Sequence, residues 1–147
     1  MHIAIGADHG GYELKQRIAE FLIAQGHQVK DFGTYSQESV DYPDFAAPVA
    51  RAVAAGQFER GILVCGTGIG VSMAANKIRG ARAAVCTDCY MARMGRNDND
   101  ANILCLGGRV LGLGLALDIV QVFLNTEFLG VHHARRVKKI SALEGKE

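Results

Sequence analysis

The sequence has almost no net charge: 16 Lys and Arg face 15 Asp and Glu over 147 residues, a formal balance of +1. A binder of nucleic acid or of an anionic membrane surface carries a basic excess, and a disordered chain combines low hydrophobicity with charge of one sign. Neither pattern is present, since 49% of the residues are hydrophobic and 21% are charged. Long apolar runs are also missing. The longest, Val110 to Leu117, is interrupted by glycines and stops at Asp118, far short of the ~20 residues that cross a bilayer. Met1 leads straight into the strand-like His2-Ile3-Ala4-Ile5 instead of a basic stretch and a long apolar core, so no secretory signal is expected and the cytoplasm is the expected compartment. The cysteines, at positions 65, 86, 89 and 105, lack the dense spacing of a disulfide scaffold and read as reduced thiols. Proline occurs only 2 times, and no Pro/Ser linker, repeat or low-complexity tract divides the chain. Residues 1–147 are expected to form one domain.

What the sequence does contain is a regular alternation of strands and helices. The first strand, His2–Ala7, is almost continuously apolar, as a strand covered on both faces is. The helix expected over Tyr12–Gln25 places Leu14, Ile18, Phe21 and Leu22 on one stripe and closes at Gly26. Further strands are predicted at His27–Phe32, Gly61–Cys65, Ala81–Cys86 and Asn102–Leu106. Helices are predicted from Tyr42-Pro43-Asp44 to Gly56, from the loop Gly66-Thr67-Gly68-Ile69-Gly70 to Lys77, and over Asp88–Gly95, Leu111–Leu124 and His132–Leu143. Alternating βα units imply right-handed crossovers, and so an α/β Rossmann-like three-layer sandwich with a five-stranded parallel sheet. Such sheets bind ligands outside the carboxyl ends of their strands. The search for chemistry therefore narrows to Asp8–Gly11, Gly33–Asp41, Gly66–Gly70, Thr87–Tyr90 and Gly107–Arg109.

Cys65 stands directly before the glycine loop. Glycines let the main chain turn and approach a ligand, and N–H groups at a helix start attract an oxyanion. The same field lowers a thiol pKa and makes the sulfur a base or nucleophile; a small buried cysteine before a tight turn is the plainer alternative. Asp8-His9-Gly10-Gly11 joins a carboxylate and an imidazole at the mouth of the first strand, suited to the hydroxyls and anion of a polar ligand. Asp8 as a simple helix cap is the other option. This loop lacks the G-x-G-x-x-G spacing of a dinucleotide site. The third strand ends in Cys65 and not in an aspartate, against a phospho-accepting receiver. Arg96-Asn97-Asp98-Asn99-Asp100-Ala101-Asn102 is either a plain polar turn or a second group of ligand contacts. His132, Arg136 and Lys139 share one helical face beside His133, a spacing that serves either a phosphate or plain solvation. Cys86-Thr87-Asp88-Cys89 has C-x-x-C spacing, but a structural zinc takes four ligands and no second pair stands at metal-binding spacing, so no metal is expected. A serine hydrolase is unsupported without a G-x-S-x-G elbow.

Taken in order, Gly6-Ala7-Asp8-His9-Gly10-Gly11, Ser39-Val40-Asp41-Tyr42-Pro43-Asp44, Cys65-Gly66-Thr67-Gly68-Ile69-Gly70, Ala74-Ala75-Asn76-Lys77 and Asn99-Asp100-Ala101-Asn102 resemble the type B ribose-5-phosphate isomerase family, which includes galactose-6-phosphate isomerase subunits. The resemblance runs from the first strand to the last helix. It implies a flavodoxin-like sheet and a cofactor-free aldose–ketose isomerase of a small sugar phosphate, ribose 5-phosphate foremost, with no nucleic-acid or membrane partner. It also implies a homodimer or dimer of dimers in which the C-terminal helix makes dimer contacts and each active site draws on both chains. By that likeness Cys65 takes the proton between C1 and C2, the amides of Gly66, Gly68, Ile69 and Gly70 hold the enediolate oxygen, and Thr67 assists at the hydroxyls. Asp8 and Tyr42 contact the sugar, while His9, Arg109, His132, His133 and Arg136 match positions around the substrate and its phosphate. Asn99 matches an oxyanion amide supplied by the neighbouring chain. A tetrulose 4-phosphate or hexose 6-phosphate isomerase, and a non-catalytic phosphate- or nucleotide-binding module, are the alternatives.

This sequence departs from the family pattern in two places. The residue before Asn99-Asp100 is Asp98, where the family usually has a ring-opening histidine; an ionised carboxylate is a poor proton donor at neutral pH unless burial raises its pKa. A tetrulose 4-phosphate has its O4 blocked and needs no ring opening, which makes it the sharper of the alternatives. His132 replaces the family's usual arginine and removes a bidentate phosphate donor.

Overall fold

The three most apolar strands, β1 (His2–Ala7), β3 (Arg60–Cys65) and β5 (Ile103–Gly107), form the centre of a sheet whose edges are β2 (Gln28–Asp31) and β4 (Ala83–Val85). The order is β2-β1-β3-β5-β4, and every pairing is parallel. This architecture comes from a computed structural model that describes residues 1–145. Strand side chains alternate between two cores. Ile3, Ile5, Ile62, Val64, Leu104 and Leu106 pack against α1 (Tyr12–Ala24), α4 (Cys89–Asn97) and α5 (Leu113–Asn125) through Leu14, Ile18, Leu22, Ala92, Ile119 and Phe123. Ala4, Leu63, Cys65, Ile103 and Cys105 face α2 (Pro43–Ala54) and α3 (Ile69–Ala75) through Val49, Val53 and Val71. Each large aliphatic side chain buried this way contributes about 1.5–3 kcal/mol. The expected three-layer α/β sandwich is the observed one.

The last helix, α6 (His132–Leu143), has no buried residue and lies outside both layers. The edges also differ from expectation. β2 and β4 are shorter than the predicted His27–Phe32 and Ala81–Cys86, because an edge strand has one neighbour to hold its ends. At β4 the start is fixed by Asn76, whose side chain accepts from the Ala83 N–H at 2.7 Å and donates to the Ala83 carbonyl at 3.0 Å. α3 accordingly ends at Ala75, and residues 76–81 turn. The chain winds from β1 out to β2 and then crosses back to β3, so the sheet's order reverses between β1 and β3. That crevice is where ligands of open parallel sheets sit.

Candidate active site

Three loops meet at the carboxyl ends of β1, β3 and β5, and they are locked to one another by main chain. The Asp8 N–H donates to the Val64 carbonyl at 3.2 Å, the Gly108 N–H to that of Cys65 at 2.8 Å, and the Arg109 N–H to that of Gly66 at 3.0 Å. A Cβ on Gly108 would stand 2.7 Å from the Gly10 carbonyl oxygen, and one on Gly107 would stand 2.8 Å from that of Thr67. Backbone lies directly on backbone here, which only glycine allows. Gly68 turns the chain into α3 with φ +84°, a left-handed conformation that other residues adopt at a cost.

Cys65 is 5% exposed at the mouth of β3. Its Sγ accepts the Gly68 N–H at 3.2 Å, so the sulfur sits inside the turn of the glycine loop. Thr67 Oγ1 accepts the Ile69 N–H at 3.2 Å. The amides of Gly70 and Val71, in the first turn of α3, have no acceptor within the helix. The Tyr42 ring lies against Gly70, where a Cβ would stand 2.8 Å from it. The Arg109 side chain runs across Gly66, its Nη1 standing 3.3 Å from where a Cβ would be.

Asp8 is buried, and its Oδ1 accepts the N–H groups of Gly10 at 2.9 Å and Gly11 at 3.2 Å. The cap position of α1 belongs to Gly11, so Asp8 shapes the loop ahead of the helix instead of capping it. His9 Nδ1 accepts the Val40 N–H at 3.2 Å. That contact ties His9 to the segment leading to Tyr42 and makes Nε2 the protonated nitrogen of its neutral ring.

The remaining candidates gather at the other end of the sheet. Asp98 caps the end of α4 and reaches His133, with Oδ1 and Nε2 3.3 Å apart. The His133 ring lies 4.2 Å from that of His132, centroid to centroid. Asn99 is exposed beside a cleft of about 990 Å³ that also receives Lys77, Arg82, Ile140 and Leu143. Arg136 is exposed on α6. Between Asn99 and the glycine loop runs the whole of β5, about 16 Å at ~3.3 Å per residue. One copy of the chain therefore holds its candidate residues in two groups, at opposite ends of its sheet.

A family model described as Ribose/Galactose Isomerase matches residues 3–140. This chain belongs to the ribose/galactose isomerase family. Among solved structures it is similar to ribose-5-phosphate isomerase B of Clostridium thermocellum, at 62% identity and a TM-score of 0.98, with 99% of each chain covered. Ribose-5-phosphate isomerase B of Escherichia coli (strain K12) is 49% identical over 142 residues, 97% of this chain and 95% of that protein. D-erythrulose-4-phosphate isomerase of Pectobacterium atrosepticum is 43% identical over 148 residues, covering 100% of this chain and 97% of that one. The enzyme class implied by the five motifs, an aldose–ketose isomerase of sugar phosphates, is the class of this family.

Neither thiol of the C-x-x-C pair is fully exposed, and half-buried Cys89 packs on the same core as Cys86. Cys86 is buried in the core, where burial first and Asp88 second push its thiol up to about 11. Cys105 is pushed up by burial, then by Cys65 and Cys86 nearby. Sequence reasoning missed two charged networks. One is Lys15, fully buried with Asp31 at 2.6 Å; its signal was a lysine three and seven residues before the core positions Ile18 and Leu22. The other is Asp100, at φ +49°, held by Arg96 at 2.9 Å and Arg82 at 3.2 Å. These arginines fix the turn that carries Asp98 and Asn99.

Proposed function

We propose that this chain, a single sugar-phosphate isomerase domain over residues 1–147, interconverts ribose 5-phosphate and ribulose 5-phosphate in the cytoplasm without a cofactor. The observation that carries the reading is the Cys65 sulfur, seated against the Gly68 amide inside a cradle of main-chain N–H groups. Isomerisation needs a base for the proton on the carbon next to the carbonyl, and donors for the enediolate oxygen that develops. In this reading Cys65 removes that proton and returns it to the adjacent carbon. The amides of Gly66 and Gly70 face the developing charge, those of Gly68 and Ile69 turn to it from Cys65 Sγ and Thr67 Oγ1, and Thr67 assists at the hydroxyls. Asp8 and Tyr42 orient the sugar, while His9 and Arg109 approach the phosphate. The free cysteines support a reducing compartment, and no helix among the described residues is long and apolar enough to cross a membrane.

A second copy completes the site, bringing its Asp98, Asn99, His132, His133 and Arg136 to the first copy's cradle. Support comes from the separation of the two groups and from the surfaces beside them. Ile69 and Met73 on α3 are 54% and 64% exposed, Tyr90 on α4 is 66% exposed, and α6 buries none of its residues. A two-fold pairing that covers these apolar side chains makes both sites at once.

A second reading has its own observation. Asp98 faces His133, not solvent alone, and a relative named D-erythrulose-4-phosphate isomerase aligns along the full chain. A four-carbon phosphate needs no ring-opening acid. The test is a panel of four-, five- and six-carbon sugar phosphates followed by NMR in deuterated water. Turnover of ribose 5-phosphate at about 10⁴ M⁻¹s⁻¹ or better, with inert tetrulose 4-phosphates, is the expected outcome. The opposite selectivity establishes the second reading, and no turnover of any member overturns both.

A further inference from the structure

The side chain of Lys15 is fully buried on the core stripe of α1, between Leu14 and Ile18. A lysine is rarely found there, and an apolar residue of similar volume is often the more stable choice for such a position. Its Nζ donates to Asp31 Oδ2 at 2.6 Å and to the Thr34 carbonyl at 2.7 Å, with the Tyr12 and Tyr35 rings 5.3 and 5.5 Å away. Asp31 uses its other oxygen to accept the Gly33 N–H at 2.8 Å. Gly33 and Thr34 in turn pair with Ala7 in both directions, at 2.6 Å each. Ala7 is the residue before Asp8 and His9. Eight residues after Asp31, the chain reaches Ser39 and then Val40, whose N–H meets His9, and Tyr42, whose ring covers Gly70.

We infer that Lys15 is a positioning residue: its ammonium pins the segment from Asp31 to Thr34 against the end of β1, and through it sets the places of Asp8, His9 and Tyr42. The inference rests on the isomerase reading for its kinetic consequence, while its structural consequence stands apart from turnover. Lys15 is fully enclosed by protein, so its loss acts on binding geometry and leaves the Cys65 loop, which Gly108 and Arg109 hold by main chain, in place.

The test uses the full chain with Lys15→Met and Asp31→Asn, below the unfolding midpoint of each variant. Steady-state kinetics with ribose 5-phosphate are combined with the ¹H–¹⁵N spectrum of the His9 ring. Lys15→Met is expected to raise KM roughly tenfold while kcat changes less than about threefold, and to erase the acceptor signature of His9 Nδ1. Asp31→Asn is expected to move both readouts the same way by less. A lowered melting temperature with KM, kcat and the His9 spectrum unchanged overturns the inference and leaves Lys15 a stabilising residue only. Asp31→Asn decides on the same readouts if Lys15→Met does not fold. Absence of turnover by the unmodified protein defeats the isomerase reading, and the His9 spectra then decide on Lys15 alone.

Discussion

The two ends of the sheet are built in different ways. At the carboxyl end, the loops after β1, β3 and β5 hold one another by main-chain hydrogen bonds, and Asp8 and Cys65 are sunk among them. At the other end, Asp98 and His133 are half-buried, Asn99 is exposed, and so are His132 and Arg136 on a helix that buries nothing. Folding of one chain encloses the first region, whereas the second is a set of side chains held out on a pinned turn and on α6. In the isomerase reading, folding makes the cradle for the reacting carbon and assembly delivers the groups around it.

The largest expected effect strikes the enclosed region. Cys65→Ala is expected to lower kcat by about 10²–10⁴-fold, the range for loss of a general base, and to stop exchange of the substrate's C2 proton with solvent deuterium. The Kd for the sugar phosphate stays nearly unchanged. Exchange at the unmodified rate removes Cys65 from the base role.

Complementation breaks or sharpens the comparison directly. Cys65→Ala and Asn99→Ala chains, each inactive alone, are expected to recover about a quarter of full activity when refolded together, because half of the dimers are hybrids with one intact site of two. Recovery of nothing would mean that both clusters serve a site within one chain, and full activity of the Asn99→Ala chain by itself would mean that Asn99 serves none.

Gly68→Ala gives a smaller change. At φ +84°, with its Cβ 3.0 Å from the Leu106 backbone, the variant is expected to lose roughly 1–3 kcal/mol in urea unfolding. Activity falls with it, as the Cys65 partner amide shifts. The smallest effect concerns the thiols that the site does not use. Because the Cys86 thiol is pushed up to about 11, its reactive thiolate is scarce near neutrality and grows about tenfold per pH unit as pH rises toward that value. Iodoacetamide at neutral pH is expected to leave Cys86 and Cys105 unmodified by mass spectrometry, and any inactivation to follow Cys65.

The central strands were legible because a strand covered on both faces is apolar at nearly every position, as Ile62-Leu63-Val64 is. The edge strands were read too long, since composition does not reveal how many neighbours a strand has. Cys65 and its glycines announced themselves by residue type. The Asp98–His133 pair did not, because residues 35 apart in sequence are joined only by the packing of α4 near α6. Lys15 stayed hidden for a different reason: lysine's ordinary place is water, and only its spacing on the α1 stripe argued otherwise. Asp8 stands at the carboxyl end of β1, as expected, but its carboxylate organises a turn before α1, a distinction that depends on where the helix begins.

The floor of the crevice between β1 and β3 consists of peptide groups, and this has an evolutionary consequence. Codon changes alter side chains and leave peptide groups as they were, so in the isomerase reading the amides around the developing charge are sheltered from drift wherever the glycines that admit them are kept. In that reading the length and shape of the substrate can be retuned by replacing side chains that a second copy contributes, one at a time, while the Cys65 loop stays as it is.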